Sequence, residues 1–154
     1  MKFKSILTFI LLLCLTLSVN AQNRKGKFDF DAIKKEKGEF LKKEMNLTDA
    51  EADAFLPLEA EFMSKKYEVN RDARRETRAL KRKENKTDAD YKRITQLNLE
   101  SEQKEAQIQM EYYKKFGNVL SAEKIEKYRS ADLRFKELML ERHRKRENAR
   151  GQNR

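Results

Sequence analysis

His143 and Cys14 are the only histidine and the only cysteine of the chain, and neither stands where chemistry could use it. His143 lies in the basic C-terminal run "ERHRKRENARGQNR", with neither a second histidine nor a cysteine partner for a metal set or a nucleophilic arrangement. Cys14 falls inside the apolar run "ILTFILLLCLTLSV". Leu13 before it is bulky where a lipoprotein cleavage site takes a small residue, so Cys14 reads as part of a discarded leader. Without it the chain has neither a disulfide nor a thiolate. Carboxylates are abundant but interspersed with Lys and Arg, which suits exposed helix faces. A glycine-rich phosphate loop is missing as well. These observations predict no catalytic residue, no metal and no cofactor, and the chain reads as a binding protein and not an enzyme.

Charge is what the chain does offer. Residues 65–86, "KKYEVNRDARRETRALKRKENK", carry ten basic and four acidic side chains, a net +6. On a helix, Arg71, Arg74, Arg75, Arg78 and Arg82 fall along one face at steps of three and four, so their potentials add. Phe62, Met63 and Tyr67 lie next to them as candidate apolar contacts for a client. Phe62 equally continues the stripe of Phe55 and Leu58, which would make it core. Such a surface suits acidic or unfolded polypeptides, because guanidinium is weakly hydrated and stacks on aromatic rings. Asn70, Ala73, Arg74 and Arg78 mimic the spacing of a basic-zipper DNA contact, but seven-residue steps from Leu80 meet Thr87, Ile94 and Ser101 where leucines are required. No specific nucleic-acid partner is expected.

The elements that must position these residues are helical. Lys2 and Lys4, the apolar run and Val19-Asn20-Ala21 form a secretory signal peptide over 1–21, too short for a span of roughly 20 residues, so no stable membrane anchor is expected. Its removal takes two lysines and no acid, leaving 34 basic against 26 acidic residues and a net charge of +8. Residues 22–27 read as a disordered leader. A phenylalanine-rich stripe of Phe30, Ile33, Phe40, Leu41 and Met45 predicts a first helix over 28–45. Thr48 with Glu51 forms a capping box that opens a second helix, 48–84, which Pro57 should bend but not end. Thr87 with Asp90 opens a third, 88–116, with Tyr91, Ile94, Leu97, Ile108, Tyr112 and Phe116 near one face and Gly117 as its C-cap. Ser121 caps a fourth, 121–142, buried through Ile125, Tyr128, Phe135, Leu138 and Met139. Residues 143–154 read as a basic disordered tail, and 28–142 as one domain.

Two of these helix starts share a pattern. Leu120, Ser121 and Tyr128 occupy the places of Leu47, Thr48 and Phe55. With "FLPLEAEF" after the first copy, the pattern resembles the LTxxQ motif family, the Spy/CpxP-like periplasmic proteins of bacterial envelope stress. Leu47-Thr48 and Leu120-Ser121 stand at the motif positions, while Glu51 and Lys124 replace the motif glutamines. The resemblance implies a periplasmic, all-helical antiparallel homodimer shaped as a thin curved cradle that holds unfolded proteins without ATP. Forty per cent charged residues predicts a core too thin to be complete in one copy, in keeping with association. Two other roles fit the residues: a regulatory module that binds the sensor domain of a membrane signalling protein, and a basic adaptor for surface polymer or outer-membrane lipid.

Overall fold

A computed structural model describes residues 29–152 as four α-helices: α1 (Phe30–Glu44), α2 (Asp49–Lys81), α3 (Asp88–Gly117) and α4 (Ala122–Gly151). No described residue lies in a strand, so the fold is all-α. The expected signal peptide, 1–21, and leader, 22–27, lie outside the described residues, as do Phe28 and residues 153–154.

α1 stops on a left-handed residue. Asn46 has φ 49°, a left-handed conformation that asparagine tolerates better than most L-residues. Its N–H donates to the Lys43 carbonyl (3.2 Å) and that of Leu47 to the Lys42 carbonyl (3.0 Å), which satisfies two of the helix's final acceptors. One residue later, Thr48 starts α2. Its hydroxyl accepts from the Glu51 N–H (3.3 Å) while the Glu51 carboxylate accepts from the Thr48 N–H (2.9 Å). The same reciprocal pair joins Thr87 and Asp90 at the start of α3. Ser121 caps α4 from one side only, accepting from the Lys124 N–H at 3.3 Å, because a lysine at that third helical position has no acceptor to return.

α2 runs unbroken through the exposed Pro57. It ends at Lys81, three residues before the expected limit. α3 ends at Gly117, but its C-cap is Asn118 with φ −82°, so the expected glycine cap is not used. The largest departure is in α4, which continues to Gly151 where a disordered tail is expected from residue 143. Glu141 pairs with Lys145 one turn on (2.7 Å), Glu147 lies 3.6 Å from His143, and no proline or glycine interrupts the helix before Gly151. Its side chains beyond Leu140 are all exposed, so these turns are supported locally and not by burial.

The core is aromatic. Phe55 of α2 meets Phe116 of α3 and Tyr128 of α4 edge-on at 4.9 and 5.4 Å, and Phe116 meets Tyr128 at 5.3 Å. Three rings from three helices thereby close one cluster in the geometry their quadrupoles favour. Leu41 of α1, Met45 just after it, and the two motif leucines Leu47 and Leu120 fill its edges. Tyr91, expected on the buried face of α3, is 58% exposed. It lies about 120° around the helix from the buried Leu97, off the seam.

Candidate functional site

Beyond Phe62 the two long helices α2 and α3 continue as an antiparallel pair, held more by polar contacts than by core. Glu105 takes Lys66 at 3.1 Å and the Asn70 amide at 2.5 Å, Arg93 meets Glu76 at 2.9 Å, and Lys83 meets Asp90 at 2.5 Å. Thr77 is buried on this seam, and its hydroxyl has no hydrogen-bond partner among the described residues.

α3 covers the side of α2 carrying Thr77, and a flank about 60 to 160° round the helix from it is left to solvent; Arg71, Arg74, Arg75 and Arg78 lie on that flank, continued by the C-cap residue Arg82, all exposed. Arg71 is engaged by Asp72 at 3.1 Å. No carboxylate among the described residues lies within ion-pair distance of the other four, so four guanidinium groups stand along one helix face uncompensated. Tyr67, 37% exposed, and the half-buried Met63 border the row. Phe62 does not belong with them. It is 6% exposed and packs on Tyr112 and Phe116 at 5.4 and 5.8 Å, which makes it core and corrects its assignment as a client contact. Its position, two turns after Phe55 on the same stripe, already carried that signal.

A second constellation lies under the aromatic cluster, and the sequence reading missed it. Lys37 of α1 is held between Glu59 of α2 (2.6 Å) and Asp132 of α4 (2.5 Å), and the Tyr128 hydroxyl donates to Glu59 at 3.3 Å. Glu59 is 1% exposed and Lys37 5%. Burial pushes the Glu59 carboxyl above the ordinary carboxylate range, against the pull of Lys37. Asp132 is also partly desolvated, but Lys37 and Lys136 together outweigh that and hold it down. Burial works against charge on Lys37 too, and the two carboxylates overcome it and raise its pKa. The Tyr128 hydroxyl is pushed up strongly by burial and by Glu59. The signal was present in the sequence as one charged residue interrupting each of three apolar stripes: Ile33-Lys37-Leu41, Phe55-Glu59-Phe62 and Tyr128-Asp132-Phe135. The desolvation of such a buried arrangement offsets much of its attraction, so its net contribution to stability is small while removal of one partner is costly.

The motif positions come together. Leu47 and Leu120 are both buried, Thr48 and Ser121 are both N-caps, and Lys124 is bonded to the Glu51 carboxylate. Among the described residues no group of histidine, cysteine or carboxylate side chains is placed to hold a metal ion, and no described helix is long and apolar enough to cross a membrane. Comparison with known proteins gives no match: no family model, no curated protein and no solved structure aligns with the chain.

Proposed function

We propose that the chain is an ATP-independent periplasmic holdase, secreted by its signal peptide, that captures unfolded or aggregation-prone envelope proteins and works as a homodimer. The observation that carries this reading is the row of exposed arginines on α2, four of them without an acid partner, bordered by Tyr67 and Met63. Uncompensated guanidinium groups draw in acidic stretches over a distance set by ionic strength, and neighbouring rings and thioethers retain apolar ones weakly enough for the client to fold while bound. The two matched helix starts, Leu47-Thr48 and Leu120-Ser121, support kinship with the Spy/CpxP-like proteins in the same direction.

The test is light scattering from a denatured client at substoichiometric to equimolar chaperone, without nucleotide, at low and at high salt. The expected outcome is delayed aggregation at low salt that weakens as salt is added. Replacing Arg71, Arg74, Arg75, Arg78 and Arg82 by glutamate should slow client capture and flatten its salt dependence while helicity is unchanged, because exposed charges contribute little to stability. Failure to protect any client at low salt, together with tight binding to a sensor domain, would make the chain a regulatory module instead.

A further inference from the structure

α4 runs in the same direction as α2. Lys124 meets Glu51 near the starts of the two helices, and further along Lys37 of α1 spans Glu59 and Asp132. α1 runs against both. The α2 flank that meets α1 places Leu56 3.9 Å from where a Cβ on Gly38 would stand, and Ser64 3.5 Å from Lys34. At steps of three and four this flank continues through Tyr67 to Arg71, Arg74 and Arg78. The α4 flank that meets α1 carries Phe135, packed on Phe40 at 5.4 Å, then Met139, and then Arg142, Arg146 and Arg150 at steps of three and four.

On both helices, therefore, the stripe that turns to α1 changes to arginine toward the N-terminal end of α1, from the half-buried Leu56 and Ser64 on α2 and from the buried Phe135 and half-buried Met139 on α4. One member of the α4 row shows what that row accepts: Arg142 is bonded to the Glu36 carboxylate, itself carried on a helix. Arg146 and Arg150 continue the row by about 6 Å per step with no carboxylate in ion-pair distance among the described residues, and Arg74 and Arg78 on α2 are in the same condition.

We propose that the two rows, Arg71, Arg74 and Arg78 on α2 and Arg142, Arg146 and Arg150 on α4, form one site for an acidic helical segment of a client whose carboxylates recur every three or four residues. The choice of occupant follows from charge and spacing. A carboxylate takes a guanidinium in a directed, two-pronged contact, and glutamates one turn apart on a helix repeat at the same interval as the arginines in each row. The site rests on the reading of the α2 row as a capture surface and adds to it the second wall and the chemistry of the client.

Fluorescence anisotropy on the mature chain tests it. The probe is a labelled, helix-forming peptide with glutamate at every fourth position; its control has the same composition with the glutamates contiguous. The spaced peptide is expected to bind more tightly than the contiguous one. Arg146→Glu with Arg150→Glu, and separately Arg74→Glu with Arg78→Glu, should each weaken it by about three- to tenfold at low salt. Glutamine at the same positions should act in the same direction with smaller size, and circular dichroism should show unchanged helicity. If the α4 variants bind the spaced peptide as wild type does, or if the two peptides bind alike, the two-walled site is wrong. In that case, aggregation suppression that still depends on the α2 row would leave the holdase reading intact. Loss of that suppression from wild type would overturn the holdase reading separately.

Discussion

Lys124 of α4 is bonded to the carboxylate of Glu51 of α2, a residue 73 positions earlier that holds the same third place in its own helix. Each departs from the glutamine of the motif the chain resembles, and together they form an ion pair that fastens one helix start to the other. Lys124 reaches the Asn46 carbonyl as well, at 3.4 Å, so the turn before α2 is tied into the same contact. Lys124→Glu would set two carboxylates against each other and should lower the melting temperature. Adding Glu51→Lys restores an opposite pair but places a cation in the first turn of α2 and removes the return half of its capping box. The expected order of melting temperature is wild type, then the double variant, then Lys124→Glu. Thr48→Ala removes the other half of the box and should cost about 1 kcal/mol, roughly 4 °C in a thermal melt.

Acid should loosen these helix starts before it reaches the core. The Glu51 carboxyl is held down at about 2 by Lys124 and by the Thr48 N–H, against an ordinary value of 4.5. Asp90 is held at about 2 by Lys83 and the Thr87 N–H, against 3.8. A carboxyl whose folded pKa is depressed contributes stability that is complete above its unfolded value and is lost as pH falls toward the folded one. Melting temperature should therefore begin to fall below pH about 4.5 and keep falling toward about 2, the span between the ordinary and the depressed values of Glu51. A Glu51→Gln, Asp90→Asn variant should melt lower than wild type at neutral pH and lose less on acidification. Parallel acid curves for the two proteins would show that other groups govern the loss.

Lys37→Met leaves Glu59 buried without its ammonium, while the half-buried Asp132 keeps Lys136, and should cost about 3–5 kcal/mol in a urea titration. Combining it with Glu59→Leu removes the stranded charge and should recover most of the loss, since well-packed apolar residues commonly replace buried ion pairs without penalty. The sign of the pH effect separates this from simple loss of packing. Burial already raises the Glu59 carboxyl, and losing Lys37 raises it further. The penalty for ionising it is then largest at neutral pH, and the deficit of Lys37→Met should shrink as pH falls.

The buried Thr77 hydroxyl, without a partner, gives a prediction of opposite sign. Thr77→Val keeps the shape and removes a desolvated polar group, and should stabilise the chain by about 1 kcal/mol. Urea unfolding should show a higher midpoint at unchanged slope, the signature of a stability change without a change in the unfolded state.

Local signals account for most of what the sequence made legible. Thr48 with Glu51, Thr87 with Asp90, and Ser121 each mark a helix start within one residue, because a cap is a contact between residues three apart. The arginine row on α2 was legible for the same reason, since helical spacing alone places it on one face. What escaped depended on partners distant in the chain. Lys37, Glu59 and Asp132 each look like a lone fault in an apolar stripe until three helices bring them together, and Glu51 and Lys124 look like unrelated departures from a motif. The end of α4 escaped differently: without an apolar stripe it reads as a frayed tail, yet its Glu141–Lys145 pair and its lack of a breaker before Gly151 let it continue as helix.

Phe62 and Tyr67 sit five residues apart on α2 and should separate folding from capture. Phe62→Ala opens a cavity against Tyr112 and Phe116 and should cost about 3–5 kcal/mol, so any loss of client binding in that variant would track loss of fold. Tyr67, 37% exposed, and Met63 border the arginines. Tyr67→Ala and Met63→Ala should change stability by about 0.5 kcal/mol or less and speed release of an aggregation-prone client. The measurements are a thermal melt beside client dissociation followed by stopped-flow fluorescence. If Phe62→Ala melts like wild type, the aromatic cluster does not hold α2 to α3 as the ring contacts indicate. If Tyr67→Ala and Met63→Ala release the client at the wild-type rate, retention lies with the arginines alone.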